Sequence, residues 1–198
     1  MKLSALFAGS LFMAVTAMST IASAHQIVYT TPLDGLSEAP PNDSPGNGMA
    51  RITIDFDLVT MRVEESFNDL QGNVTASHIH CCTAVPGAGT IGVATTLPTF
   101  TDFPSGVASG TYDRTFDMSD ASSYNPAFIA ANGGTVSGAF NALAAGLDGG
   151  TAYANIHSNI FPAGEIRGFL APVPEAEAYA MLLAGLAMIG MVARRRRL

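Results

Sequence analysis
The sequence predicts an all-β fold, an antiparallel β-sandwich with one crossover helix, on three observations. Apolar and polar residues alternate along short segments, turn-forming residues cluster between those segments, and a single longer stretch carries helical spacing. The clearest alternation runs over 49–58. There Ala50, Ile52, Ile54, Phe56 and Leu58 fall on one side, and Arg51, Thr53, Asp55 and Asp57 on the other. Further strands are expected at 26–33, 62–68, 74–82, 90–97, 110–117, 151–157 and 165–171. Glycine, proline, asparagine and aspartate clusters at 40–48, 71–73, 86–89, 98–109, 149–150 and 162–164 separate them. In the helical stretch, Val136, Phe140, Leu143, Ala144 and Leu147 recur at a period near 3.6 and Gly149 supplies a stop, so 135–147 is expected to be the crossover helix. Asn125-Pro126 followed by 127–131 adds a short helical turn before it.

The two ends read differently from the body. Lys2, an apolar run over 3–18 and Ala22-Ser23-Ala24 have the three regions of a secretory signal, so residues 1–24 are expected to form a signal helix cleaved between Ala24 and His25. At the other end Val173-Pro174-Glu175 precedes an uncharged run over 178–193 and then Arg194 to Arg197. At about 1.5 Å per residue that run makes a helix of about 24 Å, near the lower limit for a transmembrane helix. The arginines keep the tail cytoplasmic and leave everything before it outside. The organisation expected is therefore 1–24 signal, 25–172 exported domain and 173–198 membrane-targeting tail.

Val-Pro-Glu, a Leu/Ala/Gly/Met helix and a terminal arginine run resemble a PEP-CTERM sorting signal, although Pro174-Glu175-Ala176 departs from the name-giving tripeptide. The resemblance implies an exosortase-like enzyme that cuts near Pro174 and Glu175 and releases the domain to the envelope or medium of a Gram-negative bacterium making exopolysaccharide. Membrane contact before sorting and an exopolysaccharide or envelope partner after it are the partners this implies.

The 148 residues of 25–172 suffice for one cored domain. They hold 14 acidic residues against four arginines (51, 62, 114 and 167), a formal charge of −10, which makes nucleic acid an improbable partner. No nucleophile elbow, Walker loop or dinucleotide fingerprint occurs, and Asp55 and Asp57 read as a solvated face rather than a hydrolytic pair.

The chemistry concentrates in Ala76-Ser77-His78-Ile79-His80-Cys81-Cys82. Strand alternation puts His78, His80 and Cys82 on one face, where imidazoles two residues apart can address a single copper or zinc ion. Tyr153, Asn155 and His157 share a face of a later strand, and Glu165 and Arg167 of the next. An antiparallel pairing of those two strands sets Asn155 near Arg167 and His157 near Glu165, which could then orient the ring. The competing reading is that the histidines brace loops and that Glu165 and Arg167 form a structural ion pair. Cys81 and Cys82 have no third cysteine to pair with, which leaves a vicinal disulfide, an intermolecular bridge or thiolate ligation open. An N-terminal His25 could also chelate copper through its amine and ring.

Leu36-Ser37-Glu38-Ala39-Pro40-Pro41, Val74 through His80, Tyr153-Ala154-Asn155-Ile156-His157 and Gly164-Glu165-Ile166-Arg167-Gly168 follow one another as in CHRD domains, the module named after chordin, and the resemblance covers 26–170. It implies a β-sandwich of the immunoglobulin or superoxide-dismutase type and no assigned activity. Cys81-Cys82 stands where many members carry glycine and proline. The His-x-His strand is also similar to the copper-binding strand of copper/zinc superoxide dismutases, but His157 and His25 alone are too few to complete a bimetallic site. The function expected is a non-enzymatic envelope or matrix protein whose domain binds a metal or a surface partner. The alternatives are a copper- or zinc-dependent redox enzyme built on the histidine trio and a purely structural, adhesive module.

Overall fold
The computed structural model describes residues 25–174, together with 183–187, 189 and 194. The expected signal segment, Glu175 and most of the expected transmembrane helix over 178–193 lie outside the described residues. Among the described residues no helix is long and apolar enough to cross a membrane.

Eight strands form the body: β1 (Gln26–Asp34), β2 (Asn47–Asp55), β3 (Thr60–Asn68), β4 (Val74–His80), β5 (Gly110–Asp117), β6 (Tyr153–Ser158), β7 (Ile166–Phe169) and β8 (Ala171–Pro172). Between β5 and β6 come a 3-10 turn (Ala121–Ser123), α1 (Pro126–Ala131) and α2 (Val136–Asp148). All strand pairs are antiparallel, in the order β4-β6-β7-β1-β2-β3-β5, with β8 added to β1. The expected sandwich is realised as one hydrogen-bonded sheet that curls until its ends face each other. Ser77 of β4 donates its hydroxyl to Glu65 of β3 at 2.9 Å across the interior, although those strands stand far apart in the sheet order. The 98–109 segment ties the two ends along the rim, through Val74 N–H to Val107 and Leu70 N–H to Ala108.

Alternation fills the interior as the sequence requires. Ala50, Ile52 and Ile54 of β2, Met61, Val63 and Phe67 of β3, and Tyr112 and Phe116 of β5 point inward, while Arg51, Arg62, Asp113 and Thr115 face out. Ile79, Ile156 and Ile166 close the core from the other end of the sheet. The crossover helix α2 plugs one mouth, burying Phe140, Leu143 and Leu147. Thr135 caps its start by accepting Gly138 N–H at 3.0 Å, and Asn125 does the same for α1 with Ala127 N–H.

Two strand expectations are corrected. The run through Leu58 stops at Asp55, whose carboxylate accepts the amides of Asp57 and Leu58 and folds the chain into a turn that leaves Leu58 exposed. The segment 90–97 makes only isolated bridges, His80 to Val93 and Thr95 to Tyr124. Its backbone instead runs irregularly along the open edge of β4, with Ala94 N–H donating to the Ile79 carbonyl and Gly92 accepting from Cys81 N–H, while the Ile91 carbonyl reaches over to His80.

Candidate metal centre
Antiparallel pairing lays out the outer face of β4, β6 and β7 as a grid. His80 stands opposite Tyr153 and Phe169, His78 opposite Asn155 and Arg167, and Ala76 opposite His157. The sequence-derived pairing of Asn155 with Arg167 is therefore observed. Unlike the outer face of β2 and β3, this one is covered: loops carrying Glu38, Ile91, Pro98 and Pro162 lie over it, so β4, β6 and β7 are buried on both sides.

His78, His80 and His157 converge. One ring nitrogen from each lies within 4.8 Å of the others, and the ring centroids are 5.4–6.0 Å apart. Each ring is anchored through one nitrogen to a main-chain carbonyl. His78 Nε2 bonds Pro98 at 2.6 Å, His80 Nδ1 bonds Ile91 at 2.8 Å and His157 Nδ1 bonds Pro162 at 3.1 Å. A carbonyl can only accept, so the anchored nitrogen carries the proton and the opposite nitrogen presents a bare lone pair. Those opposite nitrogens, His78 Nδ1, His80 Nε2 and His157 Nε2, are buried without any partner.

Loss of hydration on burial lowers His78 and His80 to about 4 and lowers His157 as well. The carbonyl bonds oppose that shift, and the neighbouring histidines add to it for His78 and His80. The trio is thus neutral at pH 7, the form that ligates metals. Nitrogens bound to zinc at about 2.0–2.1 Å sit about 3.4 Å apart, so ring shifts of under about 1 Å would close the triangle.

The surroundings correct several expectations. Glu165 does not reach His157; its carboxylate accepts from Ser44 Oγ at 2.6 Å, from Gln71 N–H and from Gly72 N–H, tying the 42–46 and 70–73 loops. The orienting group for His157 is the Pro162 carbonyl. Arg167 pairs not with Glu165 but with Glu38, at 3.8 Å, while donating to Ser37 and Gly89 carbonyls and lying over the Tyr153 and Phe169 rings.

Cys82 is outside the cluster. Strand β4 ends at His80, so the alternation that would aim Cys82 at the trio stops there, and its sulfur forms a vicinal disulfide with Cys81. The bridge seats against α2 where Gly146 leaves a notch: a Cβ there would collide with both sulfurs. His25 is also elsewhere, its ring on Phe56 at 4.9 Å. The sequence reading missed Glu38 as Arg167's partner, and Tyr153, stacked on His80 at 4.7 Å, as part of the site's wall. Glu38 lay in view inside the Leu36 to Pro41 motif, but the three carbonyl anchors leave no side-chain signal to read.

The CHRD domain profile matches residues 29–170. The chain belongs to the CHRD domain family. All three histidines lie inside the CHRD domain, and a second profile, the PEP-CTERM protein-sorting motif, matches 172–197, directly after it. That motif implies export and envelope-associated sorting by exosortase-type machinery. Neither a curated protein nor a solved structure matches the chain.

Proposed function
We propose that this protein is an exported, envelope-associated binding module whose CHRD domain holds one transition-metal ion on His78, His80 and His157. In this reading residues 1–24 direct export, the 178–193 helix holds the chain at the membrane, and cleavage near Pro174 and Glu175 releases the domain to the cell surface or matrix.

The observation that carries the metal reading is the set of three unpartnered ring nitrogens. A histidine that only braces a loop is satisfied by one hydrogen bond, yet each ring here makes that bond and still buries its other nitrogen unpaired. Such an atom costs about 1–3 kcal/mol, and three in one cluster amount to a cost that a bound cation would remove. Neutral imidazole donors without a carboxylate favour zinc or copper over calcium or magnesium. Among the described residues no nucleophile with an adjacent base lies beside the trio, which favours binding over turnover.

The test is elemental analysis of the exported protein purified from the envelope without a histidine tag, beside His78→Ala/His80→Ala. The expected result is about one zinc or copper per chain in the first and none in the second. Chelation should lower the thermal midpoint of the wild type alone. Metal-free wild type, even after reconstitution, would overturn the reading.

A further inference from the structure
The trio supplies three donors, and among the described residues no fourth metal-binding side chain joins them. Cys82 is held in the disulfide and Glu165 by Ser44 and the 71–72 amides, while Glu38 lies beside Arg167 with its Oε1 unpartnered and outside the cluster. Zinc sites closed by four protein ligands are structural, whereas sites with three keep a position for water or a ligand.

Asn155 stands beside the trio. It is the Cα partner of His78 on the adjacent strand and precedes His157 by two residues on the same face of β6. Directly opposed side chains in such a pair have Cβ atoms about 4.5–5.5 Å apart. Asn155 is 2% exposed, yet its Oδ1 has no hydrogen-bond partner. The amide lies against the backbone of Gly164, where an added Cβ would stand 2.7 Å from either of its ends. Gly164 belongs to the same turn that lends the Pro162 carbonyl to His157, so that turn packs against the amide. Ala76 and His157 form a partly exposed corner of the grid, and Phe169 at its far end is partly exposed as well.

We propose, resting on the metal reading above, that the bound ion keeps one exchangeable coordination position open to small oxygen- or nitrogen-donor ligands, and that Asn155 Oδ1 accepts a hydrogen from the water that fills it at rest. Asn155 is a positioning residue in this arrangement: it touches the exchangeable ligand and leaves the metal to the histidines. Exchange is a simple substitution, in which the incoming donor takes the position and the water leaves.

The experiment uses the full-length protein loaded with cobalt(II), whose visible spectrum reports its ligands, titrated with azide. The wild type should show a saturable spectral change. Asn155→Leu, which keeps the volume and removes the acceptor, should bind cobalt stoichiometrically and take azide about tenfold more tightly, because the water it displaces has lost a partner worth about 1.4 kcal/mol. Asn155→Asp keeps an acceptor and should not gain affinity. Stoichiometric cobalt with a spectrum unmoved by azide would overturn the open position while leaving the metal site intact. An azide affinity in Asn155→Leu equal to wild type would overturn the role of Asn155. Failure to take up cobalt in the wild type would instead count against the metal reading itself.

Discussion

The two halves of the curled sheet handle polar groups in opposite ways. Across β2, β3 and β5 most outward charges meet water: Arg62 forks onto Asp113 and also reaches Glu64, and Arg51 lies 3.5 Å from Glu64, with Arg51, Arg62 and Asp113 about half exposed and Glu64 27% exposed. Across β4, β6 and β7 the outward side chains are roofed by loops. Arg167 and Glu38 are about 5% exposed there, and five buried polar atoms on His78, His80, His157, Asn155 and Glu38 lack partners. Water screens the first half and makes its ion pairs nearly interchangeable with hydration. The second half has no such buffer, so each polar group must be matched by a specific partner or left at a cost.

That contrast should appear first in Arg167→Ala. Removing the guanidinium strips donors from Ser37 and Gly89, empties the space over Tyr153 and Phe169, and leaves Glu38 buried beside nothing. The expected loss is about 3–5 kcal/mol in chemical denaturation; a loss below about 1 kcal/mol would mean the roofed half is as well screened as the open one.

Glu65 sharpens the comparison from within the exposed half, because it is a carboxyl of β3 that points inward. Burial pushes it up to about 8, against the opposing effect of the Ser77 hydroxyl. In the unfolded chain a glutamate ionises near 4.3. Between those values the folded protein holds a proton that the unfolded chain has lost, so the contribution of Glu65 to stability is fully present below about pH 4 and is lost as pH rises toward 8. Glu65→Gln removes that titration. Its thermal midpoint should exceed wild type at pH 8 and lie close to it at pH 4; a lower midpoint at pH 8 would show the carboxylate to be favourably paired.

The smallest effect belongs to Arg62→Ala. Despite its two-pronged geometry, the pair with Asp113 is open to solvent, and the midpoint in physiological salt should be unchanged within error. A shift comparable to that of Arg167→Ala would erase the distinction between the halves.

The same contrast explains what could be read in advance. Where one face meets water, period-two alternation marks the strand, and 110–117 coincides with β5 while 62–68 lies within β3. The helix at 135–147 was legible from its apolar spacing and its stop, and differs from α2 only at its ends. Where both faces are buried, the pattern carries the outer polar residues but not their cover. The His78, His80 and His157 face was visible, and so was the Asn155–Arg167 pairing. The roofing loops were not, because Ile91, Pro98 and Pro162 act through carbonyls that every residue possesses. For the same reason 90–97 looked like a strand: Ile91, Val93 and Thr95 suit one, and only tertiary contact leaves that segment as isolated bridges along β4. Glu165 was placed correctly along the chain but bonded elsewhere, since the Ser44 and Gln71 loops could reach it first.

The pairing of β4 with β6 brings together segments separated by all of β5, α1 and α2. Contacts of that span form late, after the intervening chain has been ordered. Until β6 docks, the strand carrying His78 and His80 has neither its partner strand nor the third imidazole, and the pocket does not exist. If the domain holds a metal as proposed, a chain threaded through the membrane unfolded would acquire it only after crossing, from whatever pool the outer compartment offers. The identity of that metal would then record where the protein folds as much as which ion its nitrogens prefer.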